Sequence, residues 1–235
     1  MNLIILLERD FTADNQVTLT DERFTHIRSI HKSAIGDPVK VGQLNGLMGT
    51  GTITAIDDSQ VDITVILDQP PPEKLPLTVI LALPRPAMIR RIFRSIAELG
   101  IEELIVINSN KVEKSFWSSP ALQDDKVEGY LIAGLQQAKD TILPKVSFKK
   151  RFKPFVEDEL PALLKDCRGI IAHPATGQPC PHAIDEKALL AIGPEGGFTD
   201  YEVDKFLAAG FEGIHLGDRI LRVENALTAI TSKLY

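Results

Sequence analysis

The stretch Ile192-Gly193-Pro194-Glu195-Gly196-Gly197-Phe198 places three glycines and one carboxylate within seven residues. Glycine accepts backbone angles that other residues resist. It also lets a ligand lie directly on the main chain, where amide N–H groups near a helix start point at it. Further along, Leu216-Gly217-Asp218-Arg219-Ile220-Leu221-Arg222-Val223-Glu224-Asn225-Ala226 concentrates two arginines and a glutamate. Charged groups between a buried strand and a helix are costly unless they are paired or used. Two readings stand for each stretch. The first is either a tight strand-to-helix turn or a ligand cradle. The second is either an internal Arg–Glu ion pair bracing a turn or a reactive cluster. The spacing excludes two nucleotide-binding motifs, because neither G-x-G-x-x-G nor G-x-x-x-x-G-K-[ST] is present.

The flanking residues supply elements to hold these stretches. The apolar run 188–192 reads as a buried strand entering the glycine turn. Thr199 with Glu202 forms a capping box, Val203, Phe206 and Leu207 recur at helical spacing, and Gly210 stops the helix. A short strand over 213–216 enters the second stretch and a helix leaves it. A third loop, His173-Pro174-Ala175, follows a strand at 169–172. Ligands of open α/β sheets bind at the carboxyl ends of the strands, so all three loops stand where a pocket forms. The ring of His173 either contributes to that pocket or belongs to a turn residue with no further part.

The rest of the chain divides in two. Residues 1–70 carry short β-type runs at 3–7, 39–41, 51–56 and 61–67, with turn signals at 36–38, 45–46 and 57–59. Asn45-Gly46 reads as a hairpin tip. One helix over 21–32 places Phe24, Ile27 and Ile30 on one face, and Arg28 and Lys32, four apart, in reach of phosphate. Gln69-Pro70-Pro71-Pro72-Glu73-Lys74 reads as a stiff linker. From residue 75, strands at 77–83, 104–107, 145–148, 169–173 and 188–192 alternate with helices at 86–99, 122–139 and 155–165. That alternation predicts a parallel sheet covered by helices.

Net charge is −6 over 235 residues, yet residues 74–154 hold 14 basic and 8 acidic side chains. The helix with Arg85, Arg90, Arg91 and Arg94 is the leading phosphate-binding candidate, and Lys145, Lys149, Lys150, Arg151 and Lys153, interleaved with Phe148 and Phe152, form a second basic cluster. The two cysteines and five histidines make no metal-ligand spacing, so no metal is expected. The apolar run 3–7 is too short for a signal peptide or membrane span, which predicts a reduced, cytoplasmic protein with no membrane partner.

The two loop stretches together resemble the RsmE family of ribosomal RNA methyltransferases, in the SPOUT superfamily. The family pattern, roughly G-P-E-G-G-[FW] followed by L-G-x-R-I-L-R-x-E-T-A, is matched from Gly193 to Phe198 and from Leu216 to Ala226, except that Asn225 stands where threonine is usual. The resemblance implies a knotted parallel-sheet domain over residues 75–235, carrying a trefoil knot, behind a PUA-like β-barrel RNA-binding domain over 1–70. It implies S-adenosylmethionine as cofactor, held by His173, Ile192, Gly193, Pro194, Glu195, Gly196, Gly197, Leu216, Gly217, Ile220, Leu221 and Arg222. It implies methylation of uracil N3 at uridine 1498 of 16S ribosomal RNA in the small ribosomal subunit. In that chemistry Glu195 or Glu224 takes the N3 proton, and Arg219 or Arg222 stabilises the charge left on the base. It further implies a homodimer, for which the apolar face Val223, Leu227, Ile230 and Leu234 is either interface or core. The chain departs from the family at Asn2 and Lys32, where arginines are usual, at Gln136-Gln137, where Glu-Gln is usual, and at Asp140, which replaces the arginine that shortly follows that pair. Two other functions remain open at this point: a non-catalytic RNA-binding protein that keeps the fold, and an α/β enzyme using another nucleotide.

Overall fold

The computed structural model describes all residues except Met1, Lys32, Ala175 and Thr176, and all of their side chains except those of Ile30 and His31. The candidate phosphate ligand Lys32 therefore lies outside the described residues. The chain divides into two compact units: residues 1–73 with 131–143, and residues 74–130 with 144–235.

In the first unit, the strands are β1 (Ile4–Leu6), β2 (Phe11–Ala13), β3 (Gln16–Leu19), β4 (Pro38–Gln43), β5 (Met48–Ile56) and β6 (Val61–Gln69). They form a curled sheet in the order β1-β4-β5-β6-β3-β2. Its core is Leu6, Val17, Leu19, Ile27, Val41, Ile53, Val61 and Ile63, each almost fully buried. The expected β4–β5 hairpin turns at Asn45, which takes φ +58°. The β2–β3 hairpin was not expected; it turns at Asn15, with φ +64°. The predicted single helix is α1 (Glu22–His26), capped by Asp21 and continued as a wider π-turn, Ile27–His31. Arg23 is buried and donates to Asp10, Asp21 and the Ile5 carbonyl. Its guanidinium holds the Asp21 carboxyl below the usual carboxylate range. Pairing is what makes this burial tolerable.

The second unit contains β7 (Leu75–Ala82), α2 (Pro86–Glu98), β8 (Ile101–Ile107), the start of α3 (Asp124–Ala138), β9 (Lys145–Lys149), the helical run α4 (Phe152–Pro154) to α5 (Leu160–Leu164), β10 (Arg168–Ala172), β11 (Gln178–Pro179), β12 (Ala188–Ile192), α6 (Asp200–Ala208), β13 (Glu212–His215) and α7 (Val223–Leu234). The sheet order is β11-β13-β10-β12-β7-β8-β9, with every pair parallel. The central strand β12 is buried along its whole length, as expected for a strand covered on both faces. On α2 the residues Ile89, Ile92, Phe93 and Ile96 are fully buried, and Gly100 ends the helix at φ +69°.

Four sequence expectations resolve here. The apolar face of α7 is core: Leu227, Ile230 and Leu234 are fully buried within this one chain. Asp140 is buried and accepts the Ile142 amide, fixing the turn after α3. Asn2 donates its side-chain amide to the Gln137 carbonyl at 2.9 Å. Arg28 pairs with Asp58 at 2.6 Å on the surface, an interaction of the kind worth about 0–1 kcal/mol.

The end of α7 is tied to the segment between β11 and β12. Ala183 and Ile184 donate their amides to the carbonyls of Lys233 and Leu234. The Tyr235 hydroxyl lies 2.9 Å from the Glu186 carbonyl and 3.1 Å from that of Pro76. Burial, with the nearby charges of Cys167 and Glu186, pushes the phenol up to about 12. The neutral phenol is therefore the form the fold favours, and its contribution is complete below the ordinary tyrosine value near 10 and lost as pH climbs toward 12. Tyr235→Phe is expected to cost about 1 kcal/mol at neutral pH by removing this hydrogen bond. In urea unfolding at pH 7 and pH 11, the gap between the two proteins should narrow at the higher pH; a constant gap would show that ionisation of Tyr235 is not coupled to folding.

Candidate functional site

All strands of the second unit run parallel, so their carboxyl ends lie along one edge of the sheet. A cleft of about 920 Å³ opens there. His173 and Pro174 follow β10, Ile192–Phe198 close β12, and Leu216–Glu224 join β13 to α7; all of these segments contribute lining residues. The three loops that the sequence places at strand ends thus meet in one cavity. Every proposed cofactor residue lines it: His173, Ile192, Gly193, Pro194, Glu195, Gly196, Gly197, Leu216, Gly217, Ile220, Leu221 and Arg222. So do Arg219 and Glu224.

The glycine turn owes its shape to close backbone packing. A Cβ on Gly193 would stand 2.9 Å from the Phe198 amide nitrogen, a contact no side-chain rotation relieves. Gly197 takes φ +69° and donates its amide to the Pro194 carbonyl at 2.8 Å. The turn then enters α6 through the expected capping box: the Thr199 hydroxyl accepts the Glu202 amide, and Glu202 Oε2 accepts the Thr199 amide at 2.9 Å. Glu202 is buried, and its other oxygen accepts the Asn110 amide at 2.7 Å. One carboxylate therefore caps α6 and fixes the loop after β8.

The two candidate carboxylates differ in their surroundings. Glu195 is exposed, and its Oε1 accepts the Arg85 amide at 3.1 Å, at the start of α2. There it satisfies a helix N-terminus and favours the positive end of the dipole. Glu224 stands in the first turn of α7. Its Oε2 is shielded from solvent and has no hydrogen-bond partner among the described residues. A shielded, unpaired carboxylate oxygen is energetically costly, and this one stands in the cleft wall. The arginines also stand apart: Arg219 and Arg222 are exposed and form no ion pair among the described residues, so the bracing Arg–Glu pair is not made. Ile220 is 83 % exposed at the same mouth.

Several cleft residues were not singled out from sequence. Lys111, in the loop after β8, lines the cavity and donates its ammonium to the Gly196 carbonyl at 2.7 Å. His215 accepts the Gly217 amide on Nδ1 at 3.0 Å, which steadies the second loop where Gly217 takes φ +97°. Met88 lines the cavity from the start of α2. Of the arginines proposed for phosphate, only Arg85 reaches the cleft. Arg90, Arg91 and Arg94 are exposed along α2, with Arg94 lying 5.7 Å from the centre of the Tyr130 ring.

Comparison with known proteins agrees with this arrangement. Residues 71–235 match the family model described as an RNA methyltransferase domain. Ribosomal RNA small subunit methyltransferase E of Treponema pallidum is 29 % identical, over 96 % of this chain and 88 % of its own length. One of the two such proteins of Borreliella burgdorferi is 27 % identical, over 97 % of this chain and 95 % of its own. Among solved structures, ribosomal RNA small subunit methyltransferase E of Neisseria gonorrhoeae, bound to S-adenosyl methionine, superposes with TM-score 0.78 at 19 % identity, covering 99 % of this chain and 96 % of that one. A methyltransferase of Legionella pneumophila with the same cofactor superposes with TM-score 0.73 at 20 % identity, covering 98 % and 94 %. The fold is that of these enzymes, and the chain belongs to the RNA methyltransferase domain family.

Proposed function

We propose that the cleft holds S-adenosylmethionine and that the protein methylates N3 of a uridine in 16S ribosomal RNA, the family's site being uridine 1498. The observation that carries this reading is a cavity lined by the glycine turn and two further strand-end loops, with one unsatisfied carboxylate oxygen, Glu224 Oε2, and two unpaired guanidinium groups among its lining residues. A cofactor with a cationic sulfonium and a neutral adenosine fits such a wall, and the glycine turn leaves no room for a side chain at Gly193. When bound, S-adenosylmethionine supplies a methyl group already activated for transfer to nitrogen.

The residues of the chain do the rest. The turn Ile192-Gly193-Pro194-Glu195-Gly196-Gly197 and the loop residues Leu216, Gly217, Ile220 and Leu221 bind the cofactor through backbone groups, with His173 beside them. Uracil N3 carries an imide proton, and Glu224 takes it. Arg222 and Arg219 hold the negative charge that spreads to O2 and O4. Glu195 acts as a positioning residue, fastening the glycine turn to α2 through the Arg85 amide. Arg85, Arg90, Arg91 and Arg94 take RNA phosphates, and the first unit, as a PUA-like barrel, adds contacts through Arg28 and Lys32.

Two further parts belong to this reading. The first is the trefoil knot that the family resemblance implies; the segment at Ala183 and Ile184 lies against the end of α7, bonded to Lys233 and Leu234. The second is a homodimer whose partner subunit covers the exposed Ile220 and completes the site. No helix among the described residues is long and apolar enough to cross a membrane, and the working compartment is the cytoplasm with its ribosomal subunits.

The test is calorimetric titration with S-adenosylmethionine and its demethylated product, together with primer extension across the 16S ribosomal RNA of a strain lacking the protein. Binding of both ligands and loss of a methyl-dependent stop at uridine 1498 are expected. RNA affinity without cofactor binding would replace this reading with a non-catalytic RNA-binding role.

A further inference from the structure

We infer that Trp117 and the cations around it form a stacking site for an unpaired nucleobase of the RNA substrate, on the same sheet edge as the cleft. The inference rests on the proposed function and names a contact within it. Trp117 is the single tryptophan of the chain. It sits in a short turn, Lys114–Ser118, and is only half-buried. Its indole N–H donates to Asn108 Oδ1 at 2.9 Å. Asn108 is the first residue past β8, and its own amide donates to the carbonyl of Lys149, the last residue of β9. The indole is therefore pinned to the carboxyl ends of two strands. The Phe148 ring meets it edge to face, 80° between planes and 6.5 Å between centres. Lys150 Nζ lies 5.9 Å from the ring centre.

The charge around the ring is uneven. Lys149 pairs with Glu159 at 2.6 Å, and Lys153 lies 3.8 Å from Glu157, which Lys205 also holds at 2.7 Å. Lys114 and Arg151 are exposed and have no ion-pair partner among the described residues. A partly open aromatic with one cation, Lys150, at its ring and further exposed cations on neighbouring residues is the combination that binds single-stranded nucleic acid: bases stack on the ring and phosphates meet the cations. A duplex offers no free base face, so the site selects unpaired strand. The position suits the proposed reaction. β9 lies three strands from β12 in the sheet, which at about 4.8 Å per strand puts the two carboxyl ends roughly 15 Å apart. A strand whose target base enters the cleft then passes Trp117 within a few nucleotides. The intervening loop also carries Lys111, which lines the cleft.

Because Trp117 is unique, its fluorescence reports this site directly. The full chain is titrated with a single-stranded, uridine-containing oligoribonucleotide and with a duplex of the same sequence. Quenching by the single strand, weaker at high salt, is expected. With anisotropy of an end-labelled oligoribonucleotide as the readout, Trp117→Ala should weaken binding of the single strand about tenfold or more, Trp117→Phe should restore most of it, and Lys150→Ala with Arg151→Ala should weaken it while leaving the indole in place. Affinity for S-adenosylmethionine should stay unchanged, and with ribosomal RNA as substrate KM should rise while kcat holds. Equal quenching by the duplex, or wild-type RNA affinity in both Trp117→Ala and the Lys150/Arg151 double variant, would overturn the inference. The proposed function fails separately: a chain that binds no cofactor but is still quenched by single-stranded RNA keeps the stacking site and loses the methyl transfer.

Discussion

Gly193→Val is expected to abolish measurable S-adenosylmethionine binding while the first unit of the protein stays folded. The added Cβ would meet the Phe198 amide nitrogen at 2.9 Å, the Gly197 carbonyl carbon at 3.2 Å and Gly197 Cα at 3.3 Å. All three atoms are backbone, so relief requires the turn itself to open. Opening it breaks the Gly197 to Pro194 hydrogen bond and shifts Phe198, which is buried against Phe206 with ring centres 5.3 Å apart. Overpacking of this kind costs about 1–3 kcal/mol even where side chains can adjust. A loss of about 3 kcal/mol in binding is more than a hundredfold in affinity. Gly196→Ala is the contrast, because its Cβ would meet only the Lys111 side chain, whose Cδ lies 3.0 Å away and can move. That variant should bind within a few-fold of wild type. Calorimetry measures both affinities, and thermal unfolding separates a lost site from a lost fold. Tight binding by Gly193→Val would show that this turn does not cradle the cofactor.

The parts of the site that sequence made legible are those governed by local chemistry. The capping box at Thr199 and Glu202, the stop at Gly210 and the hairpin at Asn45 follow from a few adjacent residues, and each forms. Parallel strands announced themselves as continuous apolar runs, since both of their faces are covered. The general rule that ligands meet strand ends then brought His173, the glycine turn and the Arg219–Glu224 stretch to one place. Partner choice across space was not legible. Spacing shows that Val223, Leu227, Ile230 and Leu234 share a face of α7, but not that this chain itself buries them. The approach of the β8 loop to the glycine turn depends on the sheet order β12-β7-β8, so Lys111 and the second bond of Glu202 had no local signature. The β2–β3 hairpin escaped notice because it turns on Asn15 without a glycine. The buried Arg23 was likewise hidden, because its partner Asp10 lies outside α1, far along the chain from the local pair with Asp21.

Glu224→Gln should lower the methyl-transfer rate by roughly 10²–10⁴-fold, the range for loss of a positioned general base. The substitution keeps the shape of the side chain and a carbonyl oxygen, so affinity for S-adenosylmethionine should stay within a few-fold. What it removes is the capacity to take the N3 proton. Glu195→Gln is expected to do far less to turnover. Glu195 Oε1 already accepts the Arg85 amide, and an amide oxygen can accept the same bond. The difference between two carboxylates in one cleft wall is thus a difference in prior engagement: one is occupied at a helix start, the other is shielded and unsatisfied. The pH dependence distinguishes a base from a brace. With Glu224 in place, the chain itself supplies the acceptor for the imide proton. Without it, the imide proton must go to solvent, so the rate of Glu224→Gln should keep rising with pH. Arg222→Ala should lower the rate at every pH without that slope, because it removes charge stabilisation and leaves the proton acceptor. A Glu224→Gln protein with wild-type turnover, or with a depressed rate that ignores pH, would remove Glu224 from the proton transfer and return the assignment to Glu195.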